Sequence, residues 1–135
     1  MKKIILMFGV IILSVGCNAN ETTEDINDES EKAMYMTMKQ DEAYELMQNS
    51  DVIIIDVRTS DEYNQGHIEN SNLLPVDVIA SEVEAKFPDK SSVYLVYCRS
   101  GNRSKTAAKA MVELGYTQVY DIGGINTWQY EIVND

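Results

Sequence analysis

The chain has 135 residues, of which 44% are hydrophobic and 24% charged, and its formal net charge at pH 7 is −11. This length and composition fit one globular domain. The acidic excess argues against nucleic acid as a partner of the folded chain, because nucleic-acid binding requires basic patches.

The first residues, 1–16, have the pattern of an export signal peptide. Two lysines precede a mostly apolar run over residues 4–15, which is shorter than the about 20 apolar residues of a transmembrane helix. The residues just before Cys17 resemble the lipobox of bacterial lipoproteins, with Ser14 where that motif usually has leucine. The resemblance implies cleavage before Cys17, lipidation of this cysteine and anchoring on the outer face of the bacterial cell membrane. A secreted or periplasmic protein is the alternative.

An acidic segment follows the signal. Between residues 18 and 32 it contains six acidic residues, one lysine and no aromatic residue. Such a segment buries too little apolar surface to fold, and its like charges extend it. We therefore predict a lipidated N-terminus and flexible tether over residues 17–33, and a folded domain over residues 34–135. Lipidation of Cys17 leaves Cys98 as a single thiol, which in an exported protein indicates a reactive cysteine.

Strands and helices alternate along the domain. The predicted elements are a strand over 33–38, a helix over 41–49, a strand over 51–57, one or two helical turns over 60–66 with Ser60 as cap, a short strand or turn over 72–76, a helix over 77–87, a strand over 92–98, a helix over 104–116, a strand over 117–124 and a closing helix over 125–133. This alternation predicts an α/β domain whose mainly parallel central sheet is flanked by helices on both faces.

Chemically active side chains follow two of the predicted strands. Cys98 ends one apolar run, and Asp56 and Arg58 end another. Because ligands of open α/β sheets bind beyond the carboxyl ends of the strands, these groups are expected at one edge of the sheet.

The loop after Cys98 has the composition of an anion-binding site. Its residues are Cys98, Arg99, Ser100, Gly101, Asn102 and Arg103, and a helix follows. A helix N-terminus presents unpaired N–H groups, and Gly101 allows consecutive N–H groups to curl around an anion. Such surroundings lower the pKa of a thiol, and the thiolate is the nucleophile. We predict that Cys98 is a nucleophile; an inert thiol beside a solvated helix start is the alternative.

Three motifs resemble those of the rhodaneses, the thiosulfate-type sulfurtransferases. They are IDVRTSDEYNQGHI at 55–68, CRSGNRS at 98–104 and DIGGINTW at 121–128. Their order and approximate spacing are those of the family, and together they cover about residues 36–130. The chain departs from the family at Glu69-Asn70-Ser71, where Pro-Gly-Ala is usual.

The resemblance implies a ping-pong reaction. Cys98 attacks the outer sulfur of a small anionic donor such as thiosulfate, carries it as a persulfide, and passes it to a thiol or cyanide, with no cofactor or metal. The donor-binding residues implied are Arg99, Ser100, Gly101, Asn102 and Arg103. Asp56 and Arg58 are expected to support the site, with Arg58 pairing to Glu62. His67 is expected to be structural, and Trp128 to pack in the core or at the site rim.

Two other functions are weighed. Cysteine-loop phosphatases and arsenate reductases have five residues between cysteine and arginine, whereas four separate Cys98 from Arg103, and the shorter loop favours a single sulfur atom. A non-catalytic or redox-sensing surface module using Cys98 is the other alternative.

Overall fold

The computed structural model describes residues 34–134, and a single five-stranded sheet organises them. Its strands are β1 (Met36–Thr37), β2 (Ile53–Asp56), β3 (Ser71–Leu73), β4 (Val93–Cys98) and β5 (Gln118–Gly124). All neighbouring strands are parallel, in the order β1-β5-β4-β2-β3. The prediction of an α/β domain with a mainly parallel sheet is confirmed. The predicted signal peptide, the lipidated Cys17 and the tether lie outside the described residues.

Helices pack on both faces of this sheet. They are α1 (Gln40–Asn49), α2 (Ser60–Asn64), α3 (Ile79–Lys86) and α4 (Asn102–Glu113), and a 3-10 turn spans Ile125–Thr127. Apolar side chains of α3 and α4 form one core cluster, and Ala43 of α1 belongs to the cluster on the opposite face. None of the helices within residues 34–134 has the length and hydropathy of a membrane-spanning segment.

The central strands are buried on both faces, as their β-branched and aromatic residues predict. Side chains alternate across a strand, so Ile55 and Val96 enter the cluster beneath α3 and α4, while Ile54 and Leu95 enter the cluster of α1. The apolar residues of β2 and β4 therefore contribute to both core clusters. The loops at the carboxyl edge of the sheet follow directly from these buried strands.

Two local predictions, the cap of α2 and the start of α4, are corrected. Thr59, rather than Ser60, caps α2, because its hydroxyl accepts the N–H of Glu62 and the Glu62 side chain accepts the N–H of Thr59. The fourth helix begins at Asn102, two residues earlier than predicted, because Gly101 takes a left-handed conformation and caps it directly.

The predicted closing helix over 125–133 is wrong. After the 3-10 turn the chain forms no helix and bends at Tyr130, and Val133 pairs with His67 in an antiparallel bridge through N–H···O bonds of 2.8 and 2.9 Å. The ring of Tyr130 stacks on Tyr44 of α1 at 3.7 Å, and Trp128 packs against both rings. Aromatic packing and the β-branched residues near the end of the chain favour this non-helical path over a helix.

The sheet order brings the carboxyl ends of β2, β4 and β5 together at one edge. Asp56 lies beside Tyr97, and Cys98 lies beside Gly124. Between the pairs Val96–Asp121 and Cys98–Gly124, β5 has one residue more than β4, which is a β-bulge. Bulges re-aim side chains next to functional sites, and this one places the turn at the end of β5 under the loop that follows Cys98.

Candidate active site

The last residue of β4 places its thiol at the start of α4. Cys98 is 1% exposed, and its Sγ accepts the N–H of Gly101 at 3.0 Å. Burial disfavours ionisation of this thiol, but the Ser104 hydroxyl and the backbone N–H groups of Ser104, Gly101 and Ser100 favour the thiolate more strongly. Together they lower the pKa of Cys98 below its ordinary value. Donors aimed at one sulfur atom prepare it for negative charge.

The conformation of Gly101 allows the backbone N–H groups to point at the Cys98 sulfur. Its φ of +100° lies in the left-handed region, where residues with a side chain are strained. The turn directs the Gly101 N–H back at Sγ and starts α4 on the next residue. The thiol therefore sits at the positive end of a 12-residue helix, which further favours an anion there.

The turn after β5 supports the loop from below. A Cβ on Gly124 would stand 2.1 Å from the carbonyl oxygen of Arg99 and 2.6 Å from Cα of Ser100, so only glycine fits. The N–H of Asn126 donates to that same Arg99 oxygen at 3.1 Å. The 3-10 turn and the loop are thus in direct backbone contact, and Gly124 fixes how closely they approach.

An ion pair closes the other side of the loop. Arg103 donates from Nη1 and Nη2 to the two carboxylate oxygens of Glu62, at 2.7 and 2.8 Å. These bonds, with those from Thr59, lower the pKa of Glu62 to about 2 although partial burial opposes the shift. The prediction that Arg58 pairs with Glu62 is wrong, because the Glu62 side chain is already engaged by the α2 cap and by Arg103.

Arg58 instead pairs with Asp56. Its Nη2 lies 2.7 Å from Asp56 Oδ2 and also donates to the carbonyl of Gly66 at 2.7 Å, while Nε lies 3.0 Å from both carboxylate oxygens. Both side chains are almost fully buried, and the guanidinium lies 5.7 Å from the centre of the Tyr97 ring. The hydrogen bonds tie the segment after β2 to Asp56 and to Gly66 after α2, and the ring contact places the guanidinium beside Tyr97 of β4.

The chain's single histidine belongs to the scaffold. The His67 ring stacks on Tyr63 at 3.7 Å, its Nδ1 lies 3.0 Å from the Tyr63 carbonyl oxygen, and the residue is 2% exposed. Trp128 packs at the edge of the core cluster that contains Ala43. Within residues 34–134, no group of three or more histidine, cysteine, aspartate or glutamate side chains could hold a metal ion.

The structure places the predicted donor-binding residues in two groups. Gly101 is buried beneath the thiol, and Arg103 is half-buried against Glu62, whereas Arg99, Ser100 and Asn102 are exposed around the loop. The three exposed side chains are accessible to a small anion, whereas Gly101 and Arg103 shape the backbone of the loop.

Sequence reasoning gave no role in the site to Ser104, Asp121 or Gly124, and it gave Glu62 the wrong partner. The sequence did indicate a structural role for Glu62, because Thr59-x-x-Glu62 is the capping-box pattern of a helix N-terminus. Asp121 had a weaker signal, because it is an acid inside an otherwise apolar strand, 4% exposed in the structure.

A cysteine held by N–H donors at the carboxyl edge of a parallel sheet defines a cysteine-loop α/β domain, and the comparisons identify which kind. The rhodanese-like domain family matches residues 39–131, and the chain belongs to this family. The thiosulfate sulfurtransferase GlpE of Coxiella burnetii is 37% identical over 97 residues, covering 71% of this chain and 89% of that protein. The thiosulfate sulfurtransferase PspE of Escherichia coli is 34% identical over 71 residues, covering 53% of this chain and 68% of that protein.

Solved structures show the same fold. A rhodanese with anions from E. coli has a TM-score of 0.59 and 29% identity, covering 63% of this chain and all of that one. A rhodanese-related protein from Thermoplasma volcanium has a TM-score of 0.65 and 29% identity, covering 75% of this chain and all of that one.

Proposed function

We propose that this protein is a sulfurtransferase that moves sulfane sulfur from a small anionic donor such as thiosulfate to a thiol or cyanide through a persulfide on Cys98. The observation that carries the proposal is the Cys98 thiol itself, buried at a helix start and bonded by the Gly101 N–H at 3.0 Å. Membership of the rhodanese-like family and two relatives named thiosulfate sulfurtransferases support it.

The two half-reactions balance without a cofactor. The Cys98 thiolate attacks the outer sulfur of thiosulfate, the sulfur–sulfur bond breaks, and sulfite leaves with the electron pair. The anionic persulfide then gives its outer sulfur to cyanide or to a thiolate, and the Cys98 thiolate returns as leaving group. The N–H groups of Ser100, Gly101 and Ser104 favour negative charge on Sγ, which supports both the attack and the departure.

The remaining loop residues have supporting roles in this proposal. Arg99, Ser100 and Asn102 are exposed and contact the donor, with the guanidinium of Arg99 offering charge to a sulfonate group. Arg103, held by Glu62, keeps the loop closed and its positive potential near Cys98. Asp56 and Arg58 brace the neighbouring strand end.

We place this activity outside the cytoplasm. The sequence pattern of residues 1–17 supports an exported lipoprotein anchored through Cys17 to the outer face of the bacterial cell membrane. Expression of the full chain in a bacterial host with labelled palmitate tests this: label should appear on the wild type and not on Cys17→Ala. Equal labelling of both, or of neither, would contradict the anchor and leave the sulfur chemistry unaffected.

A single-turnover experiment tests the reaction. The purified chain is mixed with excess thiosulfate without any acceptor, and released sulfite is measured. We expect close to one sulfite per wild-type molecule and none from Cys98→Ser. Release at the same level from both proteins, or from neither, would overturn the proposal for this donor.

A further inference from the structure

A buried carboxylate lies one side chain away from the thiol. Ser104 is 0% exposed; its Oγ lies 3.5 Å from Cys98 Sγ and 2.6 Å from Oδ1 of Asp121, on the neighbouring strand. The same Oδ1 accepts the N–H of Gly123 at 3.0 Å, which orients the carboxylate toward Ser104. Cys98, Ser104 and Asp121 thus form a continuous chain of hydrogen-bonding groups inside the protein.

The Ser104 hydroxyl has a single proton to donate. Its oxygen also lies 3.0 Å from the Gly101 carbonyl and 3.4 Å from the Gly123 carbonyl, but the shortest contact and the only charged acceptor is Asp121. A distance of 2.6 Å is typical of a hydroxyl donating to a carboxylate. With that proton on the Asp121 side, the Ser104 lone pairs face Sγ and accept the Cys98 S–H.

Ionisation of the Cys98 thiol changes the hydrogen bonds among Cys98, Ser104 and Asp121. A thiolate has no proton to donate and attracts the Ser104 hydroxyl, which must turn away from Asp121 to reach it. Asp121 opposes this turn, because it loses a charge-assisted bond and its own negative charge repels the thiolate. The Cys98 thiolate and the Asp121 carboxylate therefore compete for the hydrogen bond that the Ser104 hydroxyl donates.

We propose that Asp121 is a positioning residue that acts through the Ser104 hydroxyl to limit the ionisation of Cys98. The consequence for sulfur transfer rests on the proposed function: Asp121 holds part of the enzyme as thiol, the form less prone to oxidation, at the expense of attack on the donor. The Ser104 hydroxyl then turns to Sγ when Cys98 carries negative charge, including when it departs from the persulfide.

Other charged groups around Cys98 also influence its ionisation, and the variants used in the test below leave them unchanged. Arg103 of α4 favours the thiolate, and its own charge is balanced by Glu62 of α2. The Asp56–Arg58 pair at the end of β2 is internally neutral. Among the described residues, none of these side chains is hydrogen-bonded to Ser104 Oγ, so they do not enter the competition for its proton.

A double-mutant cycle measures the effect directly. Iodoacetamide alkylation of Cys98 in the full chain is followed by peptide mass spectrometry across pH for wild type, Asp121→Asn, Ser104→Ala and the double variant. Asparagine keeps an acceptor for Gly123 N–H and removes the charge. We expect Asp121→Asn to lower the midpoint by about one pH unit, so that alkylation well below the midpoint is about tenfold faster.

The Ser104→Ala background distinguishes a path through the hydroxyl from simple charge repulsion. We expect Asp121→Asn to shift the midpoint there by less than half as much. An unchanged or raised midpoint in Asp121→Asn, or equal shifts in both backgrounds, would overturn the proposal. Because alkylation uses no sulfur donor, failure of sulfite release would contradict the proposed function alone.

A measurement on the wild-type protein keeps the test independent of how the variants fold. The carboxyl carbon of Asp121 is followed by NMR across pH in the free protein and after alkylation of Cys98. We expect its signal to change with the midpoint of Cys98 ionisation, and this change to vanish after alkylation. A signal that is constant through that midpoint, or unaffected by alkylation, would also overturn the proposal.

Discussion

Arg103 and Glu62 are 41 positions apart in the chain and form a two-bond ion pair at 2.7 and 2.8 Å. Glu62 is also the residue that closes the capping box of α2 with Thr59. One carboxylate thus joins the helix after β2 to the loop after β4, and the shape of this loop depends on a residue that is not hydrogen-bonded to the thiol.

Replacing Glu62 with glutamine should loosen the loop. The variant keeps a capping acceptor but removes the charge from a half-exposed pair, so we expect a loss of about 0.5–1 kcal/mol in the free energy of unfolding. We expect a larger relative effect on sulfite release, because Arg103 loses its fixed position. Chemical denaturation and single-turnover kinetics measure the two quantities. A variant that releases sulfite at the wild-type rate would show that the pair does not shape the site.

The Arg103–Glu62 pair also makes the free energy of unfolding depend on pH in the acid range. The pKa of Glu62 is about 2 in the folded chain, below its ordinary value of about 4.5. The unfolded chain therefore takes up a proton first as pH falls, and the contribution of Glu62, complete above about pH 4.5, is lost progressively toward pH 2. We expect the stability difference between wild type and Glu62→Gln to shrink over this window. A difference that stays constant from pH 6 to pH 2 would contradict the assignment.

Gly124→Ala should displace the active-site loop. Its φ of −120° suits any residue, so the effect comes from space alone: the new Cβ meets the Arg99 carbonyl at 2.1 Å. We expect a loss of about 1–3 kcal/mol in the free energy of unfolding and slower alkylation of Cys98. Gly115→Ala is the matched control, since it strains a positive φ at the far end of α4. It should lose stability and keep Cys98 reactivity; equal reactivity losses in both would contradict the contact.

Removing only one partner of the buried Asp56–Arg58 pair should strongly lower the free energy of unfolding. Arg58→Ala leaves the Asp56 carboxylate buried without its partner, and we expect a loss of about 3–5 kcal/mol in the free energy of unfolding. The double variant Asp56→Asn/Arg58→Met removes both charges and should lose less than Arg58→Ala alone. Denaturant titration of the two variants provides the comparison. A double variant that is less stable than Arg58→Ala would show that the pair itself stabilises the fold.

Local patterns were sufficient for the sheet and for the loop. Apolar runs such as the one that ends at Asp56 predict buried parallel strands, and the residues from Cys98 to Arg103 follow another such run. The bonds of Glu62 to Arg103 and of Ser104 to Asp121 were not predictable, because they join residues from different elements and depend on packing. The closing helix failed for the same reason: contacts of Tyr130 with Tyr44 and of Val133 with His67 outweigh local propensity.

The most direct test of the central claim is the mass of the protein after exposure to thiosulfate. Intact-mass measurement, followed by peptide mapping under non-reducing conditions, compares the wild-type chain with Cys98→Ser. We expect the wild type to gain one sulfur atom, located on the peptide that contains Cys98, and to lose it when cyanide or a thiol is added. We expect no gain in Cys98→Ser. A gain of sulfur by both proteins, or its location away from Cys98, would contradict sulfur transfer through a Cys98 persulfide.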